Sequence, residues 1–272
     1  MTATPLTEPE ILRYSRQIIL PEVGGRGQER LRRARVLVVG AGGLGSPAAL
    51  YLAAAGVGTL GLCDDDRVDL TNLQRQVIHA TGDLGRPKTA SAAERLRALN
   101  PEIQVMEHPV RLRASNAPAV LGNYDAVVDG SDTFASKFLV NDACAAAGLP
   151  HVFAGILGFE GQLLTVIPGR GPCYRCFFRE APPPGSVPTC AQAGILGPVA
   201  GILGSLQALE MLKLVLGIGQ PAAGRLILFD GLGLAWREVE VARDPRCPAC
   251  GDPGYRRPLA DEASGACGGG PA

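Results

Sequence analysis

The sequence predicts an α/β fold, a mostly parallel sheet flanked by helices, and three observations carry that expectation. Short β-branched and aliphatic runs (Val36–Val39, Thr59–Cys63, Tyr124–Asp129) alternate with helix-length segments, the order of βαβ units. A glycine-rich turn, Gly40-Ala41-Gly42-Gly43-Leu44-Gly45, joins the first run to a helical segment. Asp64 closes the second run nineteen positions after Gly45. Glycines at such a turn let backbone amides approach a phosphate at a helix N-terminus, where partial positive charge favours an anion. The carboxylate can accept hydrogen bonds from ribose hydroxyls. A nucleotide site is therefore expected, although the glycine pattern alone does not name the nucleotide.

In chain order, Glu8–Leu20 has helical spacing, with Ile11, Leu12, Ile18 and Ile19 on an apolar face and Arg13 and Arg16 near it, and it ends before Pro21. Gln28–Arg35 is a basic lead-in to the first strand, Val36–Val39, whose residues suit burial on both faces. Ser46–Ala55 reads as the helix after the glycine turn, and Thr59–Cys63 as a strand ending in Asp64, Asp65 and Asp66. Asn72, Gln74, Arg75 and Lys88 follow, the last leading into an alanine-rich helix from Thr89 to Leu99. These donors suit triphosphate oxygens, arginine as a planar fork and lysine as a compact charge, or equally a solvated surface. Pro101–Pro109 and Tyr124–Asp129 are further strands. Asp132, just past the second, is a candidate magnesium ligand and also a candidate N-cap of the helix Thr133–Ala147.

His151–Ala154 and Gln162–Ile167 read as strands, the second antiparallel after the Gly158–Gly161 turn. Arg179–Thr189 contains four prolines and reads as an exposed crossover that delivers Cys190 to the start of a buried helix. Ala191–Leu209 carries no charge and approaches the length of a membrane span, but Pro198, its glycines, Gln192 and Gln207 argue for a buried helix with its approach loop. Arg225–Asp230 and Trp236–Val241 form a hairpin-like pair. Residues 1–250 are expected to be one domain, and 251–272 a disordered tail.

The 272 residues carry 26 basic and 26 acidic side chains, so no strongly basic face is implied and nucleic acid is not the expected partner. Basic residues are overwhelmingly arginine, which makes each of the three lysines, Lys88, Lys137 and Lys213, worth inspecting. The N-terminus shows no secretory signal, and the expected location is cytoplasmic, with no membrane association. Two C-x-x-C pairs, Cys173/Cys176 and Cys247/Cys250, favour a tetrathiolate zinc site over redox disulfides, stapling the crossover to the C-terminal end of the domain. Cys63 and Cys144 read as core, and Cys267 as a tail thiol. Cys190 is either a thiol activated near a helix start or an ordinary buried one. His79, His108 and His151 show no ligand or dyad spacing. The full expectation is a Rossmann-like, mostly parallel sheet with an antiparallel C-terminal extension and a zinc-stapled crossover loop.

Several stretches together resemble one family. Arg13-Tyr-Ser-Arg16, the glycine turn, Asp69-Leu-Thr-Asn72-Leu-Gln-Arg75-Gln, Gly85-Arg-Pro-Lys88 and the two cysteine pairs are similar to the adenylyltransferases that activate ubiquitin-like sulfur carriers, the MoeB/ThiF/HesA type, relatives of ubiquitin-activating enzymes. The resemblance runs from about Leu12 to Cys250. It implies attack of a carrier's C-terminal glycine carboxylate on the α-phosphate of ATP, giving an acyl adenylate and pyrophosphate ahead of sulfur transfer in molybdopterin, thiamin or tRNA-thiolation chemistry.

Carried over residue by residue, the resemblance implies that Gly40, Gly42, Gly43 and Gly45 cradle phosphate and Asp64 holds the ribose. Asn72, Arg75 and Lys88 would contact the triphosphate, and Asp132 would position Mg2+. Arg16 would reach the partner subunit's site in a homodimer. Cys173, Cys176, Cys247 and Cys250 would bind Zn2+, and Cys190 falls where the family's loop cysteine bonds to the activated carrier. The implied partner is a carrier ending in Gly-Gly, with any cysteine desulfurase or rhodanese supplied separately. Thr133 stands where the family often has asparagine. Two other classes compete: an NAD(P)-dependent oxidoreductase, which leaves Arg75, Lys88 and the cysteine pairs without a purpose, and a non-catalytic scaffold that binds the carrier without adenylating it.

Overall fold

The protein, described by a computed structural model over residues 5–183 and 193–261, is built on an eight-stranded sheet of order β3-β2-β1-β4-β5-β6-β7-β8. Strands β1 (Arg35–Val39), β2 (Thr59–Cys63), β3 (Gln104–His108), β4 (Ala126–Asp129) and β5 (His151–Leu157) run parallel. β6 (Glu160–Val166), β7 (Arg225–Asp230) and β8 (Ala235–Glu240) continue it antiparallel. The parallel strands alternate their burial between two layers. Val36, Val38, Leu60, Leu62, Ala126 and Val128 join one core with helices α3 (Gly24–Arg33), α4 (Gly45–Ala54), α5 (Lys88–Leu99) and α9 (Gly197–Leu216). Leu37, Val39, Cys63 and Val127 face a second core with α6 (Ala117–Leu121) and α7 (Phe134–Ala147). Such two-sided burial is why these strands read as unbroken apolar runs.

Chain order reverses between β1, which pairs with β2 on one side, and β4 on the other. The crevice past the C-terminal ends of β1 and β4 is the topological switch point, where open α/β sheets collect ligands. β1 leads there into the glycine turn and β4 into Gly130-Ser131-Asp132.

Helix α9 is long and apolar enough to cross a membrane by composition, but half of that stretch is buried in the body. It crosses α4 at Gly204, where a Cβ would lie 2.3 Å from the Leu44 carbonyl oxygen, so only glycine permits the approach. The helix expected within Ala191–Leu209 starts at Gly197 and continues to Leu216, since Glu210 and Lys213 pair with each other and need not end it.

Three expectations are corrected. Glu8–Leu20 is two short helices, α1 (Glu8–Arg13) and α2 (Ser15–Ile18), broken at Tyr14. The Tyr14 ring occupies the space that a Cβ on Gly56 would fill, and its hydroxyl accepts from Asn100 Nδ2 at 2.8 Å. The apolar residues of this segment do not all face the protein's own core: Leu12 is 78% and Ile19 68% exposed. The basic lead-in Gln28–Arg35 is largely helix α3, with Gln28 and Leu31 buried. Finally, the chain past Cys250 is held as far as Asp261. Leu259 packs on the second core, and the Asp261 carboxylate accepts from the Ala114 amide at 2.8 Å. Residues 262–272, with Cys267, lie outside the described residues.

Candidate active site and metal centre

The glycine turn takes its shape from two close approaches. Gly40 has φ +87° and packs so tightly on the β4 loop that a Cβ would sit 2.8 Å from the Gly130 carbonyl oxygen. A Cβ on Gly45 would lie 1.8 Å from Gly40 O. A larger residue at Gly40 would push the turn from the loop carrying Asp132, and one at Gly45 would break the turn itself. Gly42 is open by comparison, and Gly43 lies against Ala200 of α9 and the aliphatic stem of Arg75.

Asp64 sits beneath this turn. Its carboxylate accepts from the Ala41 amide at 2.7 Å and the Asp66 amide at 2.8 Å. Burial raises the Asp64 carboxyl above its ordinary value, while the Lys88 charge and the two amides oppose the rise. Each carboxylate oxygen retains a lone pair, so the geometry still allows a ribose hydroxyl to donate to it. Lys88 opens α5 with its side chain buried and its ammonium 2.8 Å from Asp66 Oδ2. Arg75 and Asn72 lie on the turn that covers Gly42 and Gly43. Arg75 Nη1 donates to Thr71 O at 3.0 Å, and Asn72 Oδ1 accepts from Gln76 Nε2 at 2.6 Å. The sequence-predicted donors thus collect around one rim, with two cations beside a run of backbone amides, an arrangement suited to a polyanion.

Asp132 completes the opposite rim. It is exposed and does not cap α7: Thr133 does, its hydroxyl accepting from the Ser136 amide at 3.2 Å. Capping by Thr133 corrects the alternative role for Asp132 and leaves its carboxylate without a partner among the described residues. Such a carboxylate, beside a site for phosphates, fits a hard divalent cation such as Mg2+.

Arg16 is not brought to this site. Its neighbour Gln17 bonds to Ala55 O at 3.0 Å, at the C-terminal end of α4, whereas the glycine turn lies at the N-terminal end. The ten residues of α4 separate the two ends by about 15 Å. The Arg16 side chain is exposed and has no partner among the described residues. Cys190 lies outside the described residues.

The four paired cysteines converge as predicted. Cys173 Sγ lies 3.6 Å from Cys247 Sγ, Cys176 Sγ lies 3.5 Å from Cys250 Sγ, and all four fall within 4.8 Å of one another. Metal–sulfur bonds of about 2.3 Å in a tetrahedron set sulfur–sulfur edges of about 3.8 Å, so the cluster can hold a metal ion. The Asn141 amide approaches Cys173 Sγ at 3.6 Å and the Asp244 backbone amide approaches Cys176 Sγ at 3.5 Å, contacts that favour thiolates. Hydrogen bonding from Cys173 contributes most to pulling the Cys176 thiol down to about 6. The cluster lies in a third apolar core with Phe138, Phe153 and Tyr174 of the short helix α8 (Tyr174–Phe177), tying the segment before the crossover to the C-terminal residues.

Sequence reasoning missed three buried polar side chains that shape the crevice. His79 Nε2 bonds to Ala41 O at 3.0 Å and its Nδ1 to Ser91 Oγ at 2.8 Å, so both peptides flanking Ala41 are held, one at the carbonyl by His79 and one at the amide by Asp64. Burial lowers the His79 imidazole below its ordinary value. Gln207 of α9 donates to Asp129 O at 2.7 Å and Val152 O at 3.0 Å, and Lys137 of α7 donates to Ser131 O and Ala154 O, both at 2.6 Å. No spacing rule finds such residues, because each bonds to main chain distant in sequence. The scarcity of lysine was the one signal that pointed at Lys137.

Residues 14–249 match the ThiF family. The chain is 52% identical over 260 residues to the sulfur carrier protein adenylyltransferase of Thermus thermophilus, covering 94% of this chain and 96% of that one. It is 50% identical to mouse adenylyltransferase and sulfurtransferase MOCS3, covering 90% of this chain but 54% of that protein, about half its length. Among solved structures, Escherichia coli MccB with ATP superposes with a TM-score of 0.76 at 25% identity, covering 88% of this chain and 74% of that one.

Proposed function

Because this chain belongs to the ThiF family, we propose that it adenylates the C-terminal glycine of a ubiquitin-like sulfur-carrier protein with ATP, releasing pyrophosphate. The observation that carries this reading is the crevice between the β1 and β4 loops, with the glycine turn, Asp64, Arg75 and Lys88 on one rim and Asp132 on the other. An oxidoreductase would need neither the two cations nor the carboxylate of Asp132, which has no partner among the described residues, at that place.

Joining a carboxylate to a phosphate brings two anions together, so the task is neutralisation and alignment rather than proton abstraction. The amides of the glycine turn and the charges of Arg75 and Lys88 spread the negative charge of the triphosphate, with Asn72 adding a neutral donor. Asp64 orients the ribose. Asp132 would hold Mg2+, which supplies further charge neutralisation when bound. The carrier's carboxylate attacks the α-phosphorus, the bond to the bridging oxygen breaks, and pyrophosphate leaves.

The site is complete only in a homodimer under this reading. Arg16, at the far end of α4 from its own glycine turn and flanked by the exposed Ile11, Leu12, Ile19 and Leu20, serves the crevice of a second chain. Residues 1–250 act as the adenylating unit in the cytoplasm, and Cys190 acts after adenylation by accepting the activated carrier. The carrier decides whether molybdopterin, thiamin or tRNA thiolation is served, and a cysteine desulfurase or rhodanese supplies sulfur.

The cysteine cluster holds Zn2+ in a structural role, since four thiolates leave no open coordination position. Elemental analysis is expected to give one zinc per chain, and removal by a strong chelator or by Cys247→Ser should lower the thermal midpoint on the order of 10 °C. An unchanged midpoint in metal-free protein would contradict the structural assignment. The adenylation reading itself is tested by carrier-dependent exchange of labelled pyrophosphate into ATP, with tight NADH binding and no exchange as the result that would sink it.

A further inference from the structure

Lys137 occupies a position that is costly in two ways. Its side chain is buried, with the residue 7% exposed, and its ammonium makes no ion pair among the described residues. Burying a cation without a counter-charge is unfavourable. Lys137 is also the fourth residue of α7, close to a helix N-terminus, where the partial positive charge opposes a cation. The buried carboxylate at the same strand end, Asp129, is engaged instead by the amide of Ser131 at 3.0 Å and its hydroxyl at 2.6 Å.

The lysine's contacts all lie at one point of the sheet. β4 and β5 pair only as far as Asp129 and Phe153. Beyond that pair the β4–β5 ladder ends, while β5 continues beside β6. The Lys137 ammonium joins the two chains there with bonds of 2.6 Å to Ser131 O and 2.6 Å to Ala154 O, above the Phe153 ring at 4.5 Å from its centroid. Ser131 O belongs to the peptide that carries the Asp132 amide. From the other face of the sheet, Gln207 holds the carbonyls of Asp129 and Val152. A neutral side chain would satisfy carbonyls at lower cost, as Gln207 does, whereas a charged donor binds them roughly twice as strongly.

We propose that Lys137 is a positioning residue: by clamping the chain past β4 to β5 it fixes the Asp132 loop against the glycine turn. Its catalytic consequence rests on the adenylation reading above; the loop-fixing itself does not. Because Gly130 and Gly40 are in contact, loosening this loop also loosens the rim on which the phosphates would sit. The proposal requires Lys137 to act through Asp132, with no direct bond to ATP.

Hydrogen–deuterium exchange on the full-length protein and its Lys137→Met and Lys137→Leu variants tests this directly. Amides of residues 129–133 are expected to exchange roughly tenfold or more faster in Lys137→Met, with β1 and β2 unchanged. In carrier-dependent pyrophosphate exchange, kcat should fall roughly ten- to a hundredfold while KM for ATP stays within about twofold. Adding Lys137→Met to Asp132→Asn should lower kcat no further than the weaker single variant, because the two residues act as one unit.

Unchanged loop exchange would overturn the proposal, as would multiplicative losses in the double variant or a rise in KM with kcat preserved. The last result would make Lys137 a direct phosphate ligand. If Lys137→Met does not fold, Lys137→Leu, which equally lacks a donor, carries the same measurements, and failure of both to fold would assign the lysine to stability alone. A wild-type protein without carrier-dependent exchange would instead refute the adenylation reading, and loop protection would still decide the structural claim.

Discussion

Lys88→Ala is expected to lower carrier-dependent pyrophosphate exchange roughly a hundred- to a thousandfold, the cost typical of removing one preorganised donor from developing negative charge. The fold should survive. Among the described residues Lys88 pairs only with Asp66, whose side chain is 67% exposed and can return to water. The same change should move the acid limb of the pH profile upward. The Lys88 charge opposes the rise that burial imposes on the Asp64 carboxyl, so without it Asp64 takes up a proton at a higher pH and loses its charge sooner on acidification. Arg75→Ala should show a comparable loss of exchange with a smaller shift in pH, since Lys88 is the cation that acts most on Asp64. Wild-type exchange in both variants would remove the phosphate assignment.

The second large effect concerns Arg16. Arg16→Ala and Asp132→Ala are each expected to be inactive alone. Mixed after dissociation and reassociation, the two should recover roughly a quarter of the wild-type rate, because half the dimers are mixed and each mixed dimer holds one intact site. The observation behind this is the placement of α2 at the C-terminal end of α4, which keeps Arg16 from its own crevice. No recovery on mixing, with both variants folded and dimeric, would argue against a shared site.

Much of this architecture was legible in the sequence because local chemistry and global position coincide there. The glycine turn, Asp64 and the two C-x-x-C pairs are constrained by backbone approach, strand ends and metal geometry, which leave regular spacing. The break at Tyr14 was not legible. It depends on a ring meeting Gly56, some forty residues away, and no periodicity in Glu8–Leu20 records that contact. Asp132 and Thr133 could each cap α7, and only the backbone at that corner chose Thr133. His79, Gln207 and Lys137 escaped for a related reason. Each satisfies main-chain carbonyls where strands end, and such bonds demand a donor at a point in space without demanding a motif. A buried polar residue near a predicted strand end, in a chain where its type is rare, is the signal worth following.

The central claim, that the crevice adenylates a carrier's terminal carboxylate, is tested most directly by pyrophosphate exchange with one carrier in two forms. A carrier ending in a free Gly-Gly carboxylate should drive incorporation of labelled pyrophosphate into ATP, and the same carrier with its terminal carboxylate amidated should give none. Exchange that proceeds equally with the amidated carrier, or no exchange with any carrier ending in Gly-Gly, would contradict it.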